Sequence, residues 1–304
     1  MAQSLGKIYL HIIFATRHCI PFFADLELRR ETHRFLIHQC RTLGSPAIAL
    51  GGTEDHVHLL THNSRVDSTA RMLSELKRTS SVWIKTKCGS AEPFTWQDGY
   101  GAFSISPSHV QPLSAYIAQQ EEHHRSESFQ QEMRRLTAKY GVDFDDGNLE
   151  VSTTLDQSIG RIYLHVVFST KHRLPFLDDP ELRRDTYRFM TERCDKLECP
   201  ALAIGGVSDH VHLLIQLPRV DSTARVIGEL KRSSSLWIKK NSKEDSFYWQ
   251  NGYGAFSISP GHIEPLCSYI DRQEEHHRNE SFQDETRRLA ARYGVVLDEQ
   301  RAWK

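Results

Sequence analysis

Residues 51–60 have the sequence GGTEDHVHLL, and residues 205–214 repeat it as GGVSDHVHLL. Apolar residues alternate with histidine in both copies, and this alternation predicts a β-strand. Side chains two residues apart on a strand share one face. The paired histidines are His56 with His58, and His210 with His212. Two imidazoles on one face can bind one metal ion, although such pairs also occur at ordinary polar surfaces.

The composition is that of an ordinary globular protein of 304 residues, a length that suggests about two domains. It has no apolar run of the roughly 20 residues that would span a bilayer, and its N-terminus lacks the features of a signal peptide. Six cysteines without C-x-x-C spacing indicate a reducing, cytoplasmic setting. A net charge of −1 excludes a strong overall field that attracts nucleic acid, so such binding would need local basic patches.

The sequence contains two copies of one long repeat. Three segments of the first half return in the second: 6–11 as 160–165, 66–71 as 220–225, and 99–107 as 252–260. The repeat is far too long for a solenoid, and each copy can form its own core. We therefore predict a first domain at 1–144, a polar linker at 145–158 and a second domain at 159–304.

Each copy has a readable order of elements. The first copy predicts strands at 7–15, 46–50, the histidine strand and 94–105, with helices at 26–43, 69–87, 109–124 and 128–140. The core order is β-α-β-β-α-β, which is the ferredoxin-like arrangement. The predicted fold class is α+β, with two tandem ferredoxin-like domains that each carry extra C-terminal helices.

The helix after the fourth strand pairs a tyrosine with a glutamine four residues later, on one helical face. These residues are Tyr116 with Gln120, and Tyr269 with Gln273. A half-buried tyrosine beside a hydrogen-bonding glutamine would explain the spacing without any site.

In this order the motifs resemble those of the HUH single-tyrosine transposases, the small insertion-sequence enzymes and their REP-associated relatives. The resemblance covers nearly all of each copy. It includes the Ile-Tyr-Leu-His strand, the Asp-His-Val-His-Leu-Leu run, the Trp…Gly-Tyr-Gly-Ala-Phe-Ser segment and the Tyr-Ile-x-x-Gln helix. This chain departs from the family by fusing two copies.

The resemblance implies Tyr116 and Tyr269 as nucleophiles that cut a single strand of DNA and leave a 5′-phosphotyrosine link and a free 3′ hydroxyl. It also implies a bound divalent ion. A set of two histidines and one glutamine fits Mg²⁺ or Mn²⁺ better than structural zinc. The implied metal ligands are His56, His58 and Gln120 in the first copy, and His210, His212 and Gln273 in the second.

Family members are similar to one another in forming dimers, with the tyrosine helix of one subunit completing the histidine site of the other. We therefore expect this chain to be a monomer that acts as an intramolecular pseudo-dimer. The sequence leaves open whether Tyr116 joins its own histidines or those of the other copy. The implied partner is single-stranded DNA with hairpins, in the prokaryotic cytosol and associated with the nucleoid, and no membrane partner is expected.

A basic helix in each copy is the candidate DNA-contacting surface. Its residues are Arg71, Lys77, Arg78 and Lys85 in the first copy, and Arg225, Lys231, Arg232 and Lys239 in the second. The alternative is an ordinary solvated helix face. Trp96 and Trp249 are better explained by core packing than by base stacking. Arg134-Arg135 and Arg287-Arg288 are interpreted as surface charge, and the paired histidines after Gln120 and Gln273 are weaker candidates for DNA contact or proton transfer.

Two other functions fit parts of the sequence. One is a domesticated protein that binds DNA hairpins without catalysis, although such a protein would need none of the tyrosines, histidines or glutamines. The other is a histidine-dependent nucleotide phosphoesterase. The third alternating histidine that such an enzyme would have is absent, because Leu60 and Leu214 stand at that position.

Overall fold

The computed structural model describes residues 4–88, 94–142, 158–242 and 245–299. The chain divides into two compact units. The first unit consists of residues 9–162, and the second unit combines residues 1–8 with residues 163–304. The predicted linker, 145–158, lies outside the described residues except for Ser158.

Helices and strands follow the same order in both halves. Up to residue 142 they are β1 (Leu5–Lys7), β2 (Tyr9–Ala15), α1 (Leu26–Thr42), β3 (Ala47–Gly52), β4 (His56–His62), α2 (Thr69–Cys88), β5 (Gly101–Ile105), α3 (Val110–Ala118), α4 (Gln120–His123) and α5 (Phe129–Lys139). From residue 158 they are β6 (Ile159–Arg161), β7 (Tyr163–Ser169), α6 (Pro180–Lys196), β8 (Ala201–Gly206), β9 (His210–Gln216), α7 (Thr223–Ser242), β10 (Gly254–Ile258), α8 (Ile263–Asp271), α9 (Gln273–His276) and α10 (Phe282–Arg292). The two longest helices, α2 and α7, have 20 residues each. Among the residues that the structure describes, no helix is both long and apolar enough to cross a membrane.

Each unit is built on an antiparallel four-stranded sheet. In the first unit the strands lie in the order β3-β4-β2-β5, and in the second in the order β8-β9-β7-β10. With α1 and α2 between the strands, this is the ferredoxin-like β-α-β-β-α-β arrangement. The predicted fold class is confirmed.

A fifth strand extends each sheet, and it comes from the start of the other repeat. In the first unit β6 pairs parallel to β5, with Ile159 opposite Gly101. In the second unit β1 pairs parallel to β10, with Leu5 opposite Gly254. The two repeats therefore exchange their first short strands, and the compact units have different boundaries from the sequence repeats.

Three predicted elements differ in detail. The first strand, predicted at 7–15, divides at Ile8, where the chain passes from one sheet to the other. The strand predicted at 94–105 forms only from Gly101, and before it Trp96 makes an isolated bridge to Thr16. The helix predicted at 109–124 breaks at Gln119, whose backbone leaves the helical region (φ −108°, ψ 19°).

The tyrosine helix packs very closely on the strand before the histidines. A Cβ atom on Gly51 would lie 2.3 Å from the carbonyl oxygen of Ile117 in α3. Only glycine allows the backbones to approach this closely. Gly205 and Ile270 repeat the contact in the second unit, where the distance would be 2.4 Å. The first glycine of each Gly-Gly pair therefore lets the tyrosine helix lie against the strand that precedes the histidines.

Candidate active site

The two histidines of β4 lie on the face of the sheet that α3 and α5 cover. His56 and His58 are both fully buried. Leu60 on the same face packs with Ile117 of α3 and Phe129 of α5. The strand alternation thus places both imidazoles beneath the two helices that follow the fourth strand of the core.

Each histidine is oriented by a hydrogen bond to its Nδ1 atom. Asp55 Oδ1 lies 2.7 Å from His56 Nδ1, and His11 Nε2 lies 2.9 Å from His58 Nδ1. Burial lowers the pKa of His58, and burial with the neighbouring His58 lowers that of His11, so both rings favour the neutral form. A neutral histidine whose Nδ1 atom is already engaged presents Nε2 as a ligand.

Both Nε2 atoms face Glu132, a fully buried carboxylate on α5. Glu132 Oε2 lies 3.2 Å from His58 Nε2 and 3.8 Å from His56 Nε2. His124 Nε2 lies 3.0 Å from the same oxygen. Burial alone would raise the pKa of Glu132, but its contacts with His58, His124 and Tyr116 hold that pKa well below its usual range. The carboxyl group is therefore ionised inside the unit.

Tyr116 points at the other oxygen of the same carboxylate. Its hydroxyl donates a hydrogen bond to Glu132 Oε1, and its ring centroid lies 6.1 Å from that of His58. Arg135 Nη2 donates to the hydroxyl oxygen at 2.9 Å. Burial and the bond to Glu132 raise the pKa of Tyr116 to about 12. In the first unit the tyrosine thus lies beside the histidines of its own repeat.

Gln120 begins α4, directly after the break in the helix, and is buried. Its Oε1 lies 3.4 Å from His56 Nε2, and its Nε2 donates to Glu132 Oε1 at 3.4 Å. Tyr116 and Gln120 were predicted on one face of a continuous helix. The helix is broken between them, yet both side chains reach the same carboxylate.

The second unit repeats this arrangement. The residues are His210, His212, His165, Asp209, His277, Glu285, Tyr269, Gln273 and Arg288. Gln273 differs from Gln120, because its amide nitrogen donates to the carbonyl oxygen of Tyr269 at 3.4 Å. Burial and the charge of Glu285 raise the pKa of Tyr269. The sequence around the cluster differs between the two repeats, but the cluster itself is the same. Its geometry therefore follows from the fold that both units share.

Several buried polar atoms of the second site make no hydrogen bond to the described residues, although His212 Nε2 and His277 Nε2 each lie 3.3 Å from Glu285 Oε2. They are His210 Nε2, His212 Nε2, Gln273 Oε1, His277 Nε2 and Glu285 Oε2. A buried polar atom without a hydrogen bond costs free energy, and a cation bound among these five atoms would offset that cost. Nitrogen lone pairs together with a carboxylate oxygen are the donor set of a divalent cation.

Two groups of side chains in the described part of the chain could each hold such an ion. Within each group the ligand atoms lie within 4.8 Å of one another. The groups are His56, His58, His124 and Glu132 in the first unit, and His210, His212, His277 and Glu285 in the second. The structure therefore adds a carboxylate and a third histidine to the predicted His-His-Gln set.

Sequence reasoning missed both glutamates. A signal was available, because each occupies an inward position of an amphipathic helix, three residues after a buried or half-buried phenylalanine: Phe129 before Glu132, and Phe282 before Glu285. A charged residue at such a position is rarely buried without a partner. The assignment of Arg135 and Arg288 to surface charge also changes, since both donate to a tyrosine hydroxyl.

The basic residues of α2 and α7 fall into two groups, one bonded to backbone carbonyl oxygens and one at the surface. Lys77 donates to the carbonyl oxygens of Gln97 and Gly99, each at 2.7 Å, and burial lowers its pKa to about 8. Lys231 does the same in the second unit, donating to Gly252 at 2.6 Å. These bonds account for both ammonium groups without DNA, so we remove Lys77 and Lys231 from the candidate DNA contacts.

The other basic residues lie at the surface. Four arginines pair with a carboxylate of the same segment: Arg71 with Asp67, Arg78 with Glu75, Arg225 with Asp221 and Arg232 with Glu229. Lys85 is exposed, and Lys239 lies 3.5 Å from the ring centroid of Tyr248. The indoles of Trp96 and Trp249 are buried and donate to Ser80 and Ser234. The tryptophans thus take the predicted role in the core.

Comparison with known proteins places this geometry in context. A family model described as "Transposase IS200 like" matches residues 4–120 and 158–273. No curated protein matches the chain significantly.

Three solved structures are similar to the chain. A candidate transposase from Deinococcus radiodurans has 19% identity and a TM-score of 0.31, over 38% of this chain and 92% of that one. A REP-associated tyrosine transposase bound to a REP hairpin has 14% identity and a TM-score of 0.31, over 38% and 68%. A bacterial light-regulated adenylyl cyclase has 11% identity and a TM-score of 0.21, over 83% and 73%.

Proposed function

The chain belongs to the IS200-like transposase family, and from that premise we propose that it cleaves and rejoins single-stranded DNA through two tyrosine nucleophiles, Tyr116 and Tyr269. One observation supports this most directly. In each unit the tyrosine oxygen lies at a buried carboxylate that also contacts the His-x-His pair of the same unit. A protein that only bound DNA would need no such convergence.

A divalent ion, Mg²⁺ or Mn²⁺, completes the proposed site. In the first unit His56, His58, His124 and Glu132 would hold it, with Gln120 beside them. When bound, such an ion polarises the scissile phosphate and neutralises charge that develops on its oxygens. In the second unit the unpartnered atoms of His210, His212, Gln273, His277 and Glu285 fit the same role.

The side chains of the unit prepare the nucleophile. Glu132 accepts the hydrogen bond of the Tyr116 hydroxyl and so fixes the direction of the oxygen. In the cleavage step an Oη–P bond forms and the P–O3′ bond breaks, so the 5′ end is joined to tyrosine and the 3′ end leaves as a hydroxyl. The phosphotyrosine retains the bond free energy. Rejoining therefore needs no nucleotide cofactor.

The proposed DNA surface is the exposed part of the basic helix in each unit. Its members are Arg71, Arg78 and Lys85 on α2, and Arg225, Arg232 and the half-buried Lys239 on α7. Exposed guanidinium and ammonium groups of this kind bind phosphates in a salt-dependent way. We propose hairpin-bearing single strands as the substrate, as the family resemblance implied. One chain would supply both sites without a second copy, at the nucleoid.

The test is a covalent capture experiment. Protein is incubated with end-labelled, hairpin-bearing single-stranded DNA that flanks its own gene, together with Mg²⁺ or Mn²⁺, and denaturing gels detect a protein–DNA adduct. We expect an adduct with the wild-type protein and none with the Tyr116→Phe/Tyr269→Phe double variant. Tight binding without an adduct under either metal would reject the proposal and favour the non-catalytic hairpin-binding protein.

A further inference from the structure

An arginine contacts the reacting oxygen of each tyrosine. Arg135 Nη2 donates to Tyr116 Oη at 2.9 Å, and its guanidinium carbon lies 5.7 Å from the centre of the tyrosine ring. Arg288 Nη2 donates to Tyr269 Oη at 3.1 Å, and its guanidinium carbon also lies 5.7 Å from the ring centre. The contact is thus formed in both units, although Arg288 Nη2 also lies 3.0 Å from His276 Nε2.

A glutamate fixes each guanidinium independently of the tyrosine. Glu127 accepts from Nε and Nη2 of Arg135, both at 2.9 Å. Glu280 accepts from the same two atoms of Arg288, at 2.9 and 2.8 Å. A two-point carboxylate contact holds the planar guanidinium in one orientation. The arginine is therefore aimed at the tyrosine oxygen before any substrate arrives.

The remaining donors of the guanidinium are available. Nη1 of Arg135 and Nη1 of Arg288 donate no hydrogen bond to any of the described residues, and the two side chains are 51% and 42% exposed. The tyrosine oxygen consequently lies between a buried carboxylate on one side and an accessible cation on the other. A phosphate that approaches the tyrosine from solvent would meet two free N–H groups.

The charges on the two sides have opposite effects on the nucleophile. The carboxylate of Glu132 accepts the hydrogen bond of the Tyr116 hydroxyl, whereas the guanidinium of Arg135 donates to the same oxygen. During attack the hydroxyl proton leaves to water, the Oη–P bond forms, the P–O3′ bond breaks, and the 3′ oxygen takes a proton from water. Negative charge therefore passes through Oη and the phosphate oxygens, and both lie within reach of one guanidinium.

We propose that Arg135 and Arg288 are catalytic residues of the two sites, each stabilising the tyrosine oxygen through Nη2 and the scissile phosphate through Nη1. This inference rests on the proposed tyrosine chemistry and adds a group to it. The alternative is a purely structural role, in which each Glu–Arg pair only connects its helix to the preceding loop.

The first experiment measures single-turnover adduct formation with the labelled hairpin DNA and Mn²⁺. We expect Arg135→Gln/Arg288→Gln to slow adduct formation about 100-fold or more, as for loss of a donor to a developing oxyanion. DNA affinity and melting temperature should stay close to wild type. Arg134→Gln/Arg287→Gln, which changes the adjacent arginines of the same helices, is the matched control and should react normally. Arg135→Lys/Arg288→Lys, which keeps the charge, should recover part of the rate.

The second experiment needs no turnover. Tyrosine labelled with ¹³C at Cζ is followed by NMR at pH 8, and the Tyr116 resonance is assigned by its loss in Tyr116→Phe. Because Arg135 donates a hydrogen bond to the Tyr116 oxygen, the Cζ resonance of Tyr116 should shift in Arg135→Gln and stay in place in Arg134→Gln. An unchanged Tyr116 resonance would overturn the inference, as would normal adduct formation by the Arg135/Arg288 double variant. If wild-type protein forms no adduct at all, the proposed function fails, while the resonance still decides whether Arg135 contacts the oxygen.

Discussion

The hydroxyl of Tyr116 donates a hydrogen bond to Glu132, a carboxylate with no solvent exposure. The same carboxylate contacts both histidines of the site. One residue thus joins the nucleophile to the group of side chains that could hold a metal.

The first prediction concerns the metal. Replacing Glu132 and Glu285 by glutamine should lower Mn²⁺ affinity about 10-fold to 100-fold, because each change removes the charged ligand from its group. Isothermal titration calorimetry and the electron paramagnetic resonance of Mn²⁺ measure this without DNA. Asp284→Asn is the control, since Asp284 is exposed and adjacent to Glu285 on the same helix. Unchanged affinity in the glutamine variant would remove both glutamates from the ligand set.

The second prediction concerns which tyrosine works with which histidines. The structure places Tyr116 beside His56 and His58. A Tyr116→Phe/His56→Ala variant damages only the first unit, so it should still form an adduct through Tyr269. A Tyr116→Phe/His210→Ala variant damages one residue in each unit and should form none.

The two variants change the same kinds of residue, so each serves as the control of the other. If each tyrosine worked instead with the histidines of the other unit, their results would be reversed. The labelled-DNA capture assay distinguishes the two arrangements in a single gel.

The third prediction concerns the exchanged strands. Leu5 packs in the core of the second unit, against residues that include Phe256 and Leu289. Leu5→Ala should destabilise the second unit by about 2 kcal/mol, although the residue lies at the start of the first repeat. Hydrogen exchange should show lost protection in β10 and unchanged protection in β5.

Ile159→Ala is the reciprocal variant, because Ile159 is the equivalent residue and packs against the core of the first unit. It should expose the amides of β5 and leave those of β10 protected. Loss of protection in the same half as each substitution would contradict the strand exchange.

The fourth prediction concerns acid stability. Burial, with a smaller effect of Arg29, lowers the pKa of His33 to about 4. Below pH 6.5 the unfolded chain therefore binds a proton that the folded unit rejects, and stability falls as the pH drops towards 4. This residue should account for about 3 kcal/mol of the loss between pH 7 and pH 4.

The second unit has Tyr187 at the equivalent position, so His33→Tyr is a natural replacement. The variant should lose less stability on acidification than the wild type. Stability is measured by unfolding in urea, with hydrogen exchange of the α1 amides as the signal. His38→Tyr, on the exposed side of the same helix, should lose as much stability on acidification as the wild type. Identical pH profiles for His33→Tyr and the wild type would reject the assignment.

Much of this molecule could be predicted because its signals are local. The alternation around His56 and His58 predicted the strand and placed both imidazoles on one face, and the spacing of Tyr116 and Gln120 placed both on one side of a helix. Glu132 was missed because its role depends on how α5 packs over the sheet. Lys77 was misassigned for a related reason, since only the tertiary structure brings the carbonyl oxygens of Gln97 and Gly99 to its ammonium group.

The strand exchange could not have been read from the sequence. Leu5-Gly6-Lys7 and Ile159-Gly160-Arg161 are nearly equivalent, so either strand suits the edge of either sheet. Pattern and propensity are the same for both pairings. The choice is made by the chain connections and by the complete cores, neither of which appears in a local window of sequence.

The pairing of β1 with β10 also sets an order of events during synthesis. Residues 5–7 leave the ribosome before the strands of the first unit, but their partners, residues 254–256, emerge only after most of the second repeat has been translated. At about 5–20 residues per second, this delay is roughly 10–50 seconds. The unit that contains Tyr116 can close in that interval, because all its strands lie within residues 9–162. Strand β1 is thus translated before the strands of the first unit but paired after them, and the nascent chain carries it without its sheet until the second repeat emerges.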